Sequence, residues 1–170
     1  MRVLYVPRFG ERVVDAPIAQ SMDDAAKNLI GLGHEVEVGK VPFDTDRFER
    51  SMNILGASGL AWLLRDADWR GQIGDEYIKT IEDGQRFSAI EYYEALEADR
   101  ELFRELADAF QAYDFTLTPS AGAMPWAADS FNPPHHAPFT AFANLTGVPA
   151  ISIPAKPGPT GVPIGFQLFS

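Results

Sequence analysis

The sequence predicts an α/β fold, and three observations carry that prediction. A β-branched and aromatic run, "RVLYV" (residues 2–6), opens the chain, and "HEVEV" (34–38) alternates as a strand should. Between them apolar residues recur every three or four positions, the spacing of one helix face. Two further apolar runs, "AISIPA" (150–155) and "PIGFQLF" (163–169), close the chain around a Gly/Pro-rich connection. With 170 residues, 46% of them apolar, the chain suffices for a single domain, 1–170, that buries roughly 70% of its unfolded surface.

Taken in order, Asp15 is placed to cap the first helix, with Pro17 in its first turn. Ile18, Met22, Ala25, Leu29 and Leu32 then mark the buried face. Gly33 occupies the left-handed position that ends a helix, and the strand 34–38 completes a βαβ unit, which implies parallel strands. Residues 44–65 and 75–84 read as helices separated by "DADWRGQIG". Ser88 opens the clearest helix, because in "SAIE" the Glu91 carboxylate can reach back to the Ser88 amide; losing the Ser88 hydroxyl should cost about 1 kcal/mol. Its predicted face runs through Tyr92, Leu96, Asp99, Phe103, Leu106, Phe110 and Tyr113, and Asp99 is expected at the edge of that stripe, paired with a neighbouring arginine. "DFTLTP" (114–119) is a strand that ends on proline. Residues 119–138 follow as a long Pro-rich loop of the kind that forms a lid, a binding loop or a segment wrapped on a partner. A short helix over 139–145, stopped by Gly147, leads into the closing strands.

Charge and composition narrow the partners. Fourteen Lys and Arg against 24 Asp and Glu give a formal charge of −10, which repels phosphate backbones and anionic lipid, so neither nucleic acid nor membrane is expected. The absence of cysteine removes disulfides, thiolate metal sites and a Cys nucleophile. "RVLYV" is too short and too soon interrupted by Pro7 and Arg8 for a signal segment, and a cytoplasmic location is expected.

Few residues announce chemistry by themselves. His34 follows a helix end and reads as a solvated turn residue, while the adjacent His135 and His136 diverge in an extended segment and make a poor metal pair. "GASG" (56–59) invites reading Ser58 as a nucleophile on a tight turn, but its flanks, "SMNILGASGLAWLL", describe a buried helix packed at small residues.

Several blocks together resemble the C-terminal part of amidase signature enzymes: "RVLYVPRFG", "GLGHEVE", "SAIEYYEAL" before Arg100, "DFTLTPS", and above all "FTAFANLTGVPAISIPA" running into "GVPIGFQLF". The resemblance implies an α/β fold built on a large mixed sheet flanked by helices, and hydrolysis of amide C–N bonds by a Ser-cisSer-Lys triad. It implies no metal, nucleotide or organic cofactor. In that family the lysine, both serines and the Gly/Ser-rich segment that carries them precede the region matched here. Lys40, Lys79 and Lys156 each lack a serine-rich companion segment, so no catalytic residue is assigned. The expectation is a piece of an amidase, inactive alone, that belongs with a missing N-terminal segment or self-associates through apolar closing strands. The partner class is a small-molecule amide. The rival expectation is a free-standing, non-catalytic binding or assembly module on the same scaffold. By the same resemblance Thr118, Pro119, Ser120, Phe139 and Asn144 line the substrate cleft, with Trp126 in the same loop. Structural roles compete for several of these: Asn144 as a cap, Pro119 as a strand end, and Ser152 as a packed strand residue.

Overall fold

The parallel pair expected at the start of the chain is present. The computed structural model describes residues 1–170, and its β1 (Arg2–Tyr5) and β2 (Glu35–Val38) run parallel, in register from Arg2 against Glu35 to Tyr5 against Val38. Between them lies α1 (Ala16–Gly31). The chain continues through α2 (Thr45–Leu63), α3 (Asp75–Arg86) and α4 (Ala89–Ala109) to β3 (Phe115–Pro119), then α5 (Pro138–Thr146), β4 (Ala150–Pro154) and β5 (Gly165–Phe169). β3 joins β1 in parallel, and β5 and β4 follow antiparallel, so the five-stranded sheet is mixed, in the order β2-β1-β3-β5-β4. No helix is long and apolar enough to cross a membrane.

Contacts gather into two compact units, residues 1–43 with 104–170 and residues 44–103, where the sequence predicts one domain. In the first, the α1 side chains Ile18, Met22 and Ala26 pack with Val3, Tyr5, Leu117 and Ile164 on one sheet face. Tyr5 keeps its hydroxyl satisfied by donating to Asp23 at 3.0 Å, and burial first, then that bond, pushes the phenol well above its ordinary range. The opposite face meets α5 through aromatic edges: Phe142 lies 4.8 Å from Phe169, and Phe139 lies 5.8 Å from Phe9, centroid to centroid.

The second unit holds a core of its own because its connecting segment folds back. Trp69 is buried with Ala61 and Ile81 rather than left in solvent. Gly84 of α3 approaches α2 so closely that a Cβ there would lie 2.1 Å from the Ala57 carbonyl oxygen. Within α2, Ala57 is therefore the packing contact, while Gly56 and Gly59 are exposed with open space beside them, and Ser58 lies inside a helix and is no turn nucleophile.

Helix ends mostly follow the sequence. Gly33 and Gly147 take positive φ of 87° and 73°. Asp44 caps α2 by accepting from the Asp46 and Arg47 amides at 2.9 and 3.0 Å. At α4 the capping box is complete: the Glu91 amide donates to Ser88 Oγ at 3.2 Å and the Ser88 amide donates to Glu91 Oε2 at 2.8 Å.

Three expectations are corrected. The Asp15 side chain makes no capping bond to α1. The buried face of α4 runs through Ala95, Leu102 and Leu106, whereas Tyr92 and Phe103 are 41% and 51% exposed. Asp99 falls on that buried line, one turn from Ala95. It pairs with no arginine: its Oδ1 is buried without a partner, and desolvation raises its carboxyl above the ordinary range. The helical spacing holds there and Leu106 is buried as expected, but the buried line passes through Ala95 and Leu102 instead of Tyr92 and Phe103.

Candidate functional site

A polar row crosses the sheet face that carries α5. Residues paired across neighbouring strands share a face. Thr118 of β3 pairs with Gln167 of β5, and Gln167 pairs with Ser152 of β4, so a hydroxyl, an amide and a second hydroxyl stand in line. Gln167 is fixed by donating its Nε2–H to the Phe139 carbonyl oxygen at 3.1 Å. Thr116 and Thr118 are buried, each with Oγ1 lacking a hydrogen-bond partner.

One step toward the end of β3, the Ser120 amide donates to the Gly165 carbonyl oxygen at 3.0 Å, extending the ladder past Pro119. Gly165 contributes no side chain, and over it Ser120 Oγ and Ser152 Oγ meet at 2.5 Å. A Cβ at Gly165 would lie 3.1 Å from the first hydroxyl oxygen and 3.4 Å from the second, so the bare position makes room for the pair. In such a pair one O–H is used between the partners, leaving one O–H and several lone pairs for a third molecule. No lysine, histidine or carboxylate is hydrogen-bonded to either hydroxyl, so this is a donor and acceptor cradle without an activating base.

The Pro-rich loop 119–138 is fastened beside this row through Asp15. Its Oδ2 accepts from the Met124 amide at 2.7 Å, its Oδ1 lies 3.3 Å from His135 Nε2, and its own amide donates to the Gly122 carbonyl at 2.9 Å. Arg12 adds a bond from Nη1 to the Pro134 carbonyl at 2.8 Å. The Gly122 amide donates to the His136 carbonyl at 3.1 Å, and a Cβ at Gly122 would lie 2.2 Å from the His135 carbonyl oxygen. His136 donates from Nδ1 to the Pro133 carbonyl at 2.8 Å, and its ring meets Trp126 edge to face at 5.4 Å. Both histidines thus serve the loop, and no group of three metal-ligating side chains occurs in the chain.

The residues singled out from the sequence fall into distinct places. Thr118 is buried in the row, Pro119 is buried opposite Phe166, and Ser120 is half-buried at the open end. Phe139 is fully buried behind the row, joined to it through its carbonyl. Asn144 stands exposed on α5 and donates to the Thr140 carbonyl one turn back at 3.2 Å. Ser152 and Gln167 are the members that sequence reasoning missed. Ser152 is exposed and hydrogen-bonded rather than packed. The long connection between β4 and β5 leaves their register open, so no signal in the sequence sets Ser152 opposite Gln167.

Comparison with known proteins agrees with this architecture. The family model described as Amidase matches residues 1–170. A glutamyl-tRNA(Gln) amidotransferase subunit of Clostridium acetobutylicum is 27% identical over 186 residues, covering 92% of this chain, and the corresponding subunit of Synechococcus sp. is 39% identical over 191 residues, covering 95%. The chain spans 39% of the length of each of these relatives. Among solved structures, an amidase superposes with a TM-score of 0.83 at 18% identity over 99% of the chain and 41% of its own length. The glutamyl-tRNA(Gln) amidotransferase subunit of Thermotoga maritima gives 0.76 at 22% identity over 100% and 38%. The mixed sheet, the flanking helices and the match along all 170 residues establish that this chain belongs to the amidase family.

Proposed function

We propose that this chain forms the substrate-facing wall of an enzyme that hydrolyses amide C–N bonds, and that it is inactive without a partner segment bearing a Ser-cisSer-Lys triad. The observation that carries the proposal is the Ser120–Ser152 hydroxyl pair over Gly165, a polar cradle at the open end of β3 with no base beside it. Ser120 binds the substrate amide there. Thr118 and Pro119 fix the strand end that presents it, Phe139 backs the row, and Asn144 reaches from α5. The names of family relatives support amide chemistry in general, from an aryl acylamidase to a 6-aminohexanoate cyclic dimer hydrolase, and point to no single amide.

Ammonia release from glutamine and from an aryl carboxamide tests both halves. The chain by itself should release none above the buffer rate. Supplied with the part of the Synechococcus sp. relative that this chain does not span, it should release ammonia. In that complex Ser120→Ala should raise KM about five- to tenfold while kcat changes less, the loss of one neutral hydrogen bond to bound substrate. Hydrolysis by the isolated chain, or a Ser120→Ala complex with unchanged KM, would overturn the proposal.

A further inference from the structure

On the sheet face that carries α1, two hollows of about 340 and 520 Å³ adjoin one another. Three residues are common to both: Ser21 and Asp24 of α1, and Lys156 on the loop between β4 and β5. Their states are unusual for a surface groove. Ser21 is 9% exposed, and its Oγ is shielded from water with no hydrogen-bond partner in the chain. A shielded, unsatisfied hydroxyl is costly, and a ligand oxygen that reached it would relieve that cost. Lys156 is exposed and has no ion-pair partner. The loop that holds it is nevertheless ordered by backbone bonds on either side, from the Ala155 amide to the Ile164 carbonyl at 2.8 Å and from the Gly158 amide to the Val162 carbonyl at 2.9 Å. Asp24 uses only Oδ1, towards Gln20 Nε2 at 3.3 Å and Lys27 Nζ at 3.8 Å, which leaves Oδ2 free.

A cation carried on a backbone-ordered loop and a carboxylate therefore line the same hollows as a shielded hydroxyl, and beyond them the smaller hollow is walled by Leu29, Leu32 and Phe166. We propose that this trough is a binding site for a free α-amino acid with an apolar side chain. The ligand carboxylate meets Lys156 and accepts from Ser21 Oγ, the ligand ammonium meets Asp24 Oδ2, and the side chain enters the apolar recess. A simple anion would use Lys156 alone and face Asp24, and a simple amine would face Lys156; the pair of opposite charges selects the zwitterion.

Calorimetric titration of the chain with L-leucine, 4-methylpentanoate and isopentylamine tests the assignment, since the last two each lack one charge of the first. Saturable binding of L-leucine is expected, with each analogue weaker by about tenfold or more. Lys156→Met should weaken L-leucine about tenfold and leave isopentylamine no weaker, and Asp24→Asn should weaken L-leucine and leave 4-methylpentanoate no weaker. Lys156 is exposed on its loop, so a circular dichroism spectrum unchanged in Lys156→Met separates loss of binding from loss of fold. No saturable binding of L-leucine, equal binding of all three ligands, or titrations indifferent to Lys156→Met would overturn it.

Discussion

Asp15 precedes the first residue of α1, yet its carboxylate serves the loop 119–138, accepting the Met124 amide and facing His135. The helix needs it less because Pro17 in the first turn has no N–H to satisfy. Across this tether stands Gly122, whose missing side chain lets the loop close on itself: a Cβ would sit 2.2 Å from the His135 carbonyl oxygen, closer than any real contact. Backbone cannot retreat as a flexible side chain can. Gly122→Ala should therefore cost about 2 kcal/mol of stability, the scale of overpacking in a closed site, read as a lowered midpoint in urea at unchanged m-value. An unchanged midpoint would show that the loop opens without penalty. This partnership was illegible in the sequence, since Asp15 and Met124 lie 109 positions apart and an aspartate ahead of a helix reads first as a cap.

At the level of elements, α4 shows what helical periodicity reveals and what it hides. Its start was legible because a capping box needs only four consecutive residues, and the Ser88–Glu91 bonds form as the spacing requires. Its buried face was not, because small Ala95 is buried while the large Tyr92 and Phe103 are exposed. Asp99 lies on the buried line with an unpartnered oxygen and a carboxyl raised by desolvation. The sign follows from proton count. With the folded value above the unfolded one, the folded state holds more protons between the two, so stability falls as pH rises through that interval. The penalty is complete at neutral pH and absent below the ordinary carboxyl range. Asp99→Asn should thus raise the melting temperature at neutral pH, with the gain fading as the pH is lowered to about 3, below the unfolded carboxyl value. A gain of equal size at both pH values would instead trace the effect to packing.

For the molecule as a whole, the order of its sequence blocks was enough to place it in the amidase family, while the cradle needed strand register that no single segment contains. The same sheet sets the solution behaviour of the chain. β4 pairs only with β5, and its residues are exposed or half-buried along its length, with Ile151 59% exposed. An unpaired edge with apolar side chains is a template for another strand. Pro154 at the end of β4 removes one donor and shortens the usable edge without closing it. Against pairing stands the formal charge of −10, which makes two copies repel. Salt decides between these terms, because it screens the repulsion over roughly 10 Å at 0.1 M and leaves apolar contact intact. Association of the chain should therefore strengthen as ionic strength rises, the reverse of an interface held by ion pairs. Ile151→Lys should weaken it about tenfold by placing a charge on the edge, read by sedimentation velocity across a concentration series. Wild-type chain that sediments as a monomer at every concentration and salt level would show that the flanking prolines and the charge already protect the edge.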